Sequence, residues 1–260
     1  MPKYGYLVVE GPHDVEFVYR LLSPFGFKRI KWEKDLDSFL GPLVPRKFPQ
    51  DDGDLQKRMP VPLFLQNDSH AVAIHSAGGD SRLVEVVQEN TLYLDHALVT
   101  GVGILLDSDN AVPATVRFKA IKDAMSQKGF QLPANPGEIA SGTPKYGAYV
   151  LPDNKVQGTL EDLLLDSAST VYPSLLASAA SHVDAALLDA TLNGDEMKDI
   201  RKPAGKKKAI IGAMASILRP GKAVQVSIQD NRWLRNEALA QPRVKAVQDF
   251  LVNLLELSRK

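Results

Sequence analysis

The sequence predicts an α/β fold: a mainly parallel sheet with helices on both faces, followed by a helical C-terminal region. Short apolar runs alternate with amphipathic segments over residues 1–157, which is typical of strand–helix–strand units. Helical periodicity dominates residues 158–260. No stretch rich in Gly and Ser separates the two regions, so we expect the helical region to pack on the α/β core rather than hang from a linker.

The individual elements follow from local patterns. The first strand is predicted at 4–9 and the first helix at 13–23, because Gly11-Pro12 makes a turn and proline suits a helix start. Residues 31–61 are polar and rich in proline, so we expect an inserted loop with one short element. Further strands are predicted at 61–66 and 70–77, paired through a tight turn, and at 101–107 and 146–151. Further helices are predicted at 81–96 with Leu92 inward, and at 114–128, 160–178, 182–192, 206–219 and 243–258.

Composition excludes several classes of protein. The 31 basic and 31 acidic residues cancel, so nucleic acid would be bound through a local patch or a partner rather than a broad positive field. With no cysteine, disulfides and thiolate zinc sites are excluded, and any metal must be held by oxygen or imidazole. No window approaches the roughly 18 apolar residues of a membrane helix, and the N-terminus runs straight into a strand. We expect a cytoplasmic protein without a membrane segment.

Acidic residues follow two of the predicted strands at the point where each strand ends. Glu10 and Asp14 follow the first strand, and Asp107 and Asp109 follow the strand GVGILLD. Side chains that carry chemistry gather at the carboxyl ends of parallel strands, so neighbouring strands would bring these acids together. That much negative charge needs a divalent cation, and oxygen ligands suit Mg²⁺ or Mn²⁺. Asp107 and Asp109 would point to one side and Ser108 to the other.

Each acid also has an ordinary structural interpretation. Taken alone, residues 107–110 (DSDN) form a good turn, and Glu10 before Gly-Pro is a common strand exit. Asp14 would lie in a first helical turn, where the helix dipole favours an acid. His13 is interpreted as an exposed residue of that turn, and His75 as a packed strand residue. The joint occurrence of acids at two strand ends is what favours a site.

The motifs VVEGPHD and LLDSD resemble the two signature motifs of the TOPRIM fold. Primases, topoisomerases, small ribonucleases that mature ribosomal RNA and overcoming-lysogenisation-defect nucleases share this fold. The resemblance includes Gly78-Gly79 and Arg117. The segments YVLPDN, GTLEDLLL, KKKAIIGAMA and NRWL are similar to small standalone TOPRIM-like proteins. Without cysteine there is no zinc ribbon of the kind that primases carry, and nothing in the sequence matches the separate tyrosine domain of a topoisomerase, so priming and strand passage are not expected.

The resemblance implies roles for single residues. It implies that Glu10 is a general acid or base, that Asp107 and Asp109 are Mg²⁺ ligands, and that Asp14 is an accessory acid. Glu161 matches a late glutamate that serves a second metal ion in the nuclease branch. The residues leave an alternative, since Thr159-Leu160-Glu161-Asp162 has the spacing of a capping box and acids suit a first helical turn. Asp162 would then be the capping partner.

Basic residues that could hold a phosphate backbone are Arg117, Lys155 and the run Lys206, Lys207 and Lys208. The alternative for the lysine run is a solvated face, although three lysines at a helix start oppose the helix dipole. No GxxxxGK sequence is present, which excludes a phosphate-binding NTPase loop.

The expected function is Mg²⁺- or Mn²⁺-dependent hydrolysis of phosphodiester bonds in DNA or RNA, in defence or repair. The alternative class is a non-catalytic TOPRIM-like interaction module that binds a partner ATPase or nucleic acid. A third alternative is a phosphatase or nucleotidyl transferase with a small-molecule substrate. The sequence leaves open the choice between DNA and RNA, the number of metal ions, and whether the chain forms a homo-oligomer.

Overall fold

The fold is built on one mixed sheet with helices on both faces. The structure is a computed structural model that describes residues 2–46, 61–108 and 112–258. Within these ranges the strands are β1 (Lys3–Val9), β2 (Lys28–Arg29), β3 (Leu63–Gln66), β4 (His70–Ser76), β5 (Val99–Asp107) and β6 (Lys145–Leu151). The helices there are α1 (Pro12–Leu22), α2 (Leu83–Thr91), α3 (Ala114–Gln127), α4 (Leu160–Val171), α5 (Pro173–Leu187), α6 (Gly205–Leu218), α7 (Val224–Asp230) and α8 (Pro242–Leu255).

The order of the described strands is β2-β3-β4-β1-β5-β6. Strands β4, β1, β5 and β6 run parallel, while β3 is antiparallel to both β4 and β2. The predicted pair of strands joined by a tight turn is confirmed as β3 and β4, where the Asn67 side chain accepts hydrogen bonds from the backbone N–H groups of Ser69 and His70. The predicted α/β class is therefore confirmed.

The strands divide their side chains between two hydrophobic cores because successive residues of a strand point to opposite faces. Leu7 and Val9 face a core built with α1, α4, α5, α6, α7 and α8. Tyr6 and Val8 face a second core built with α2 and α3. Buried residues of the C-terminal helices thus share one core with β1. None of the described helices is long and apolar enough to cross a membrane.

Helix α8 packs closely on the sheet because glycines line its path. A Cβ atom added at Gly101 would clash with the Leu254 carbonyl oxygen, and one at Gly103 would lie 2.6 Å from the Leu254 side chain. A side chain at either position would push α8 away from the sheet. This close approach brings the end of α8 to the N-terminal ends of β1 and β6.

Three of the predicted elements are wrong in part. The helix predicted at 81–96 ends at Thr91, so Leu92 is 78 % exposed and Leu94 is buried in its place. The helix predicted at 160–178 is divided before Pro173, because proline lacks a backbone N–H and disfavours helical geometry in the residue before it. As a result, α5 ends at Leu187 and covers only the first part of the helix predicted at 182–192.

The predicted insertion at 31–61 is partly described. It contains two short 3₁₀ helices, Glu33–Asp35 and Gly41–Leu43, rather than one element. Leu40 and Leu43 are buried in the second core, so this part of the insertion packs on the protein. Residues 47–60 lie outside the described residues.

Candidate functional site

The two acidic motifs meet at one edge of the sheet. Strands β1 and β5 are parallel neighbours, and Val9 pairs with Leu105 near their carboxyl ends. Glu10 and Asp107 therefore come off the sheet side by side, and Glu10 Oε1 accepts a hydrogen bond of 2.9 Å from the Asp107 backbone N–H. The expected convergence is found for these two acids. Asp109 lies outside the described residues.

Asp14 joins the site because α1 starts directly behind Glu10. Gly11 is the N-cap residue and Pro12 opens the helix, as the sequence predicts. The Asp14 carboxylate accepts a hydrogen bond of 2.9 Å from the Gly11 backbone N–H, and Asp14 is buried. This bond fixes the carboxylate at the helix N-terminus, next to Glu10.

Helix α4 brings the fourth acid. Asp162 accepts a hydrogen bond of 2.9 Å from the Thr159 backbone N–H, so the prediction that Asp162 is the capping partner is confirmed. Glu161 is only 6 % exposed, and its Oε2 atom has no hydrogen-bond partner within the described part of the chain. Asp107 Oδ1 accepts a hydrogen bond of 2.8 Å from the Leu160 backbone N–H, which joins α4 to the end of β5.

These carboxylates repel one another in a poorly solvated place. Burial and then the negative charge of Glu10 raise the pKa of Asp14 to about 7, with a smaller contribution from Glu161. Burial, followed by the charges of Asp14, Glu10 and Glu161, raises the pKa of Asp107 well above its usual value. Near neutral pH the cluster therefore favours binding of protons or a cation.

Ser108 has a structural role that the sequence does not reveal. Its hydroxyl accepts a hydrogen bond of 2.7 Å from the Gly158 backbone N–H and donates one of 3.1 Å to the Gly158 carbonyl oxygen. Ser108 is fully buried. These contacts hold the loop before α4 against the end of β5, and so they position Glu161.

Arg117 lies beside the acids, in the first turns of α3. Its Nη2 atom is 2.8 Å from Asp80 Oδ2 and 3.6 Å from Glu10 Oε1, and its Nε donates to the Asp107 carbonyl oxygen at 3.3 Å. Asp80 follows the turn Gly78-Gly79, where the Gly79 backbone N–H donates to the Glu10 carbonyl oxygen. Sequence reasoning missed Asp80, although it also follows the carboxyl end of a strand, β4.

The predicted lysines are placed differently from one another. Lys207 forms an ion pair of 2.7 Å with Asp162, and Lys206 forms one of 2.5 Å with Asp184. Lys208 is exposed in the first turn of α6, and Lys155 is exposed in the loop before α4. Lys206 and Lys207 are thus already paired with carboxylates.

His13 is half-buried rather than exposed, which corrects the interpretation from sequence. Burial lowers the pKa of His13, with opposing effects of the negative charge of Glu161 and the positive charge of Lys208. His13 therefore lies close enough to both α4 and α6 to respond to their charges. His75 is buried in β4, as predicted.

The donor atoms at this edge fit a hard divalent cation. They are carboxylate oxygens, and the buried Oε2 atom of Glu161 lacks a partner in the described structure. Among the described residues, no group of three or more His, Cys, Asp or Glu side chains is spaced to hold a metal ion. The fit thus rests on the kind of donor and on the mutual repulsion of the acids, not on a ready coordination geometry.

Fold and site together define an α/β protein with an acidic cluster at the carboxyl edge of a parallel sheet. Residues 4–256 match the family described as "Protein of unknown function (DUF3226)", and the chain belongs to that family. The fold is similar to the crystal structure of the hypothetical protein PH0156 from Pyrococcus horikoshii OT3, with a TM-score of 0.57, 18 % identity and 98 % of each chain covered. No curated protein matches the chain. The TOPRIM resemblance stays a prediction.

Proposed function

We propose that this protein is a Mg²⁺- or Mn²⁺-dependent nuclease that hydrolyses phosphodiester bonds in DNA or RNA. The observation that carries the proposal is the convergence of Glu10, Asp14, Asp107 and Glu161, with raised pKa values at Asp14 and Asp107. Carboxyl groups with raised pKa values that gather at the carboxyl ends of strands are typical of functional sites. A cytoplasmic location and a role in defence or repair stay predictions.

Glu10, Asp14, Asp107 and Glu161 are the residues that would hold the cation, together with Asp109 outside the described residues. A bound divalent cation supplies stabilisation for the negative charge that develops on phosphoryl oxygens. In return, its charge would relieve the repulsion that raises the pKa of Asp14 and Asp107.

The chain's own groups have separate tasks in this proposal. Glu10 takes the proton of the attacking water, and the adjacent Arg117 guanidinium, 3.6 Å from its Oε1 atom, holds its carboxylate in place. The N-termini of α1 and α4 lie at the same edge, where their dipoles favour a phosphate anion. Lys208 is exposed at the start of α6 and would contact the phosphate backbone of the bound nucleic acid.

The test is cleavage of supercoiled plasmid and of single-stranded RNA in Mg²⁺ or Mn²⁺. We expect wild-type cleavage that EDTA abolishes, and a loss of about 10²- to 10⁴-fold in Glu10→Gln, the size of a general-base contribution. Asp123→Asn is the matched control, because Asp123 is an exposed acid of α3 paired with Lys119. Absence of cleavage of both substrates, or equal cleavage by wild type and Glu10→Gln, would overturn the proposal.

One observation favours the second candidate, a non-catalytic interaction module for nucleic acid or a partner ATPase. Glu10, Asp14 and Asp107 each accept a hydrogen bond from a backbone N–H, so the acids also have a structural use. A module of this kind would retain the acids without binding a cation. Its melting temperature would then not rise with Mg²⁺ or Mn²⁺, whereas a protein that binds the cation only when folded gains stability with concentration. Homo-oligomerisation stays a prediction that sedimentation would check.

A further inference from the structure

A second group of charged residues lies away from the acids, near the C-terminal end of α1. Arg20 is only 9 % exposed, and its Nε atom is buried without a hydrogen-bond partner in the described structure. No carboxylate of the described residues lies within ion-pair distance of it. Arg20 is six residues beyond Asp14, which is about 9 Å along the helix axis.

The neighbours of Arg20 are mostly of the same charge. Glu16, one turn earlier on α1, is buried and forms an ion pair with Arg29 of β2. The guanidinium of Arg29 lies 4.3 Å from the centre of the Tyr19 ring, and its own Nε atom is also buried without a partner. Helix α1 packs against α7, and Arg235, in the turn after α7, adds a third positive charge that acts on Arg20. The Arg235 guanidinium donates one hydrogen bond of 3.0 Å, to the Asp230 carbonyl oxygen.

This arrangement is costly as it stands. Burial and the charges of Arg235 and Arg29 lower the pKa of Arg20, while Tyr19 and Glu16 oppose the shift. An arginine nevertheless stays protonated in proteins, so the unfavourable charge cannot be removed by losing a proton. Of the charged groups that act on Arg20, Arg29 and Arg235 are positive and Glu16 is the carboxylate, which Arg29 already engages. An anion from outside would restore the balance.

We propose that Arg20, Arg29 and Arg235 form a binding site for a phosphate monoester group where α1 meets β2 and the turn after α7. The excess of two positive charges matches a terminal phosphate, which carries about −1.5 to −2 near neutral pH. A phosphodiester or a carboxylate carries only about one negative charge. Guanidinium groups also match phosphate oxygens with paired N–H donors. The group would belong to free phosphate, to a nucleotide or to a phosphorylated end of nucleic acid.

The experiment is thermal denaturation in EDTA, so that its result does not depend on a cation at the acidic cluster. Inorganic phosphate is the probe, and sodium chloride at equal ionic strength is the reference. We expect a saturable rise in the wild-type melting temperature with phosphate. Arg20→Met should weaken phosphate binding by about tenfold or more, the size expected for a lost hydrogen bond to a charged group. The same variant should melt at a higher temperature than wild type in chloride, because it removes a buried uncompensated charge.

Arg82→Met is the matched control, since Arg82 is an exposed arginine paired with Glu85 at the start of α2. It should keep the wild-type response to phosphate. If Arg20→Met fails to fold, Arg235→Met, which changes an exposed residue, tests the same site. No stabilisation of wild type beyond chloride, or an unchanged response in Arg20→Met or Arg235→Met, would overturn the proposal.

Two further probes identify the source of the group. An oligonucleotide with a 5′-phosphate, compared with the same oligonucleotide ending in a 5′-hydroxyl, should compete with phosphate if a nucleic-acid end is the ligand. If neither oligonucleotide competes while inorganic phosphate still binds, the ligand is free phosphate or a nucleotide, and the phosphate site is supported. Stabilisation by a short aspartate peptide but not by phosphate would contradict the proposed ligand class.

Discussion

The two ends of strand β1 carry opposite arrangements of charge. At the N-terminal end, Lys3 and Lys145 contact the two carboxylate oxygens of Glu256, just after α8, at 2.6 and 2.7 Å. Hydrogen bonds from these lysines lower the pKa of Glu256 to about 2. At the carboxyl end, Asp14 and Asp107 lie among other acids, and their pKa values are raised.

The difference distinguishes charge with a structural use from the charge for which we propose a function. The Glu256 contacts join the end of α8 to β1 and β6, and the chain itself supplies both partners. At the carboxyl end, within the described residues, Arg117 lies near Glu10 and also pairs with Asp80. The carboxylates of the cluster raise one another's pKa values, and so the carboxyl end is where we propose a cation.

Asp14→Asn should have the largest effect on stability. The folded-state pKa of Asp14, about 7, lies above its usual 3.8, so ionised Asp14 disfavours the folded state. We expect the variant to be more stable than wild type at pH 8 in EDTA, by on the order of 2–4 kcal/mol. The gain should shrink as pH falls from 7 to 4, which urea denaturation across this range measures. A variant less stable than wild type at pH 8 would show that the cluster is not repulsive.

Arg117→Met should act in the opposite direction and more weakly. It removes the contacts with Asp80 and Glu10 and the hydrogen bond to the Asp107 carbonyl oxygen. We expect a loss of about 1–2 kcal/mol in the free energy of unfolding at pH 8, measured with urea. Arg82→Met, at an exposed ion pair, should change it by less than about 0.5 kcal/mol. Equal effects of the two variants would contradict a compensating role for Arg117.

Glu256→Gln should have the smallest effect. The Glu256 side chain is 39 % exposed, and solvent screens its contacts with the lysines, so we expect a loss of about 0.5–1 kcal/mol at pH 7. Because the folded-state pKa of Glu256 is lowered, the stability that its ion pairs contribute is present above about pH 4.5 and fades as pH falls towards 2. Urea denaturation at pH 7 and pH 3 should show it shrinking, and high salt should also reduce it. If the difference in the free energy of unfolding between wild type and Glu256→Gln grew at low pH, the ion pairs would be ruled out as its cause.

The sequence predicted the strand ends well because the governing rules are local. An apolar run of fixed length followed by acids locates Glu10 and Asp107, and the parallel order of alternating strands and helices brings them together. The capping role of Asp162 was likewise readable from residue spacing, since only four residues take part.

The features that the sequence did not predict depend mostly on contacts between distant segments of the chain. Arg20 and Arg235 are separated by most of the chain, and only the packing of α1 against α7 brings them together. The pKa of His13 likewise depends on charges from the distant helices α4 and α6. Leu92 was misplaced because helical periodicity continues past Thr91 although the helix stops there.

Diffraction from a crystal soaked in Mn²⁺, with anomalous data at the manganese edge, compares both ends of β1 in one experiment. We expect at least one manganese peak within about 2.3 Å of carboxylate oxygens of Glu10, Asp14, Asp107 or Glu161, and none at Glu256. Asp107→Asn should weaken or remove that peak. No peak at the acidic cluster at saturating Mn²⁺, or a peak at Glu256 instead, would contradict a cation site at the carboxyl end of the sheet.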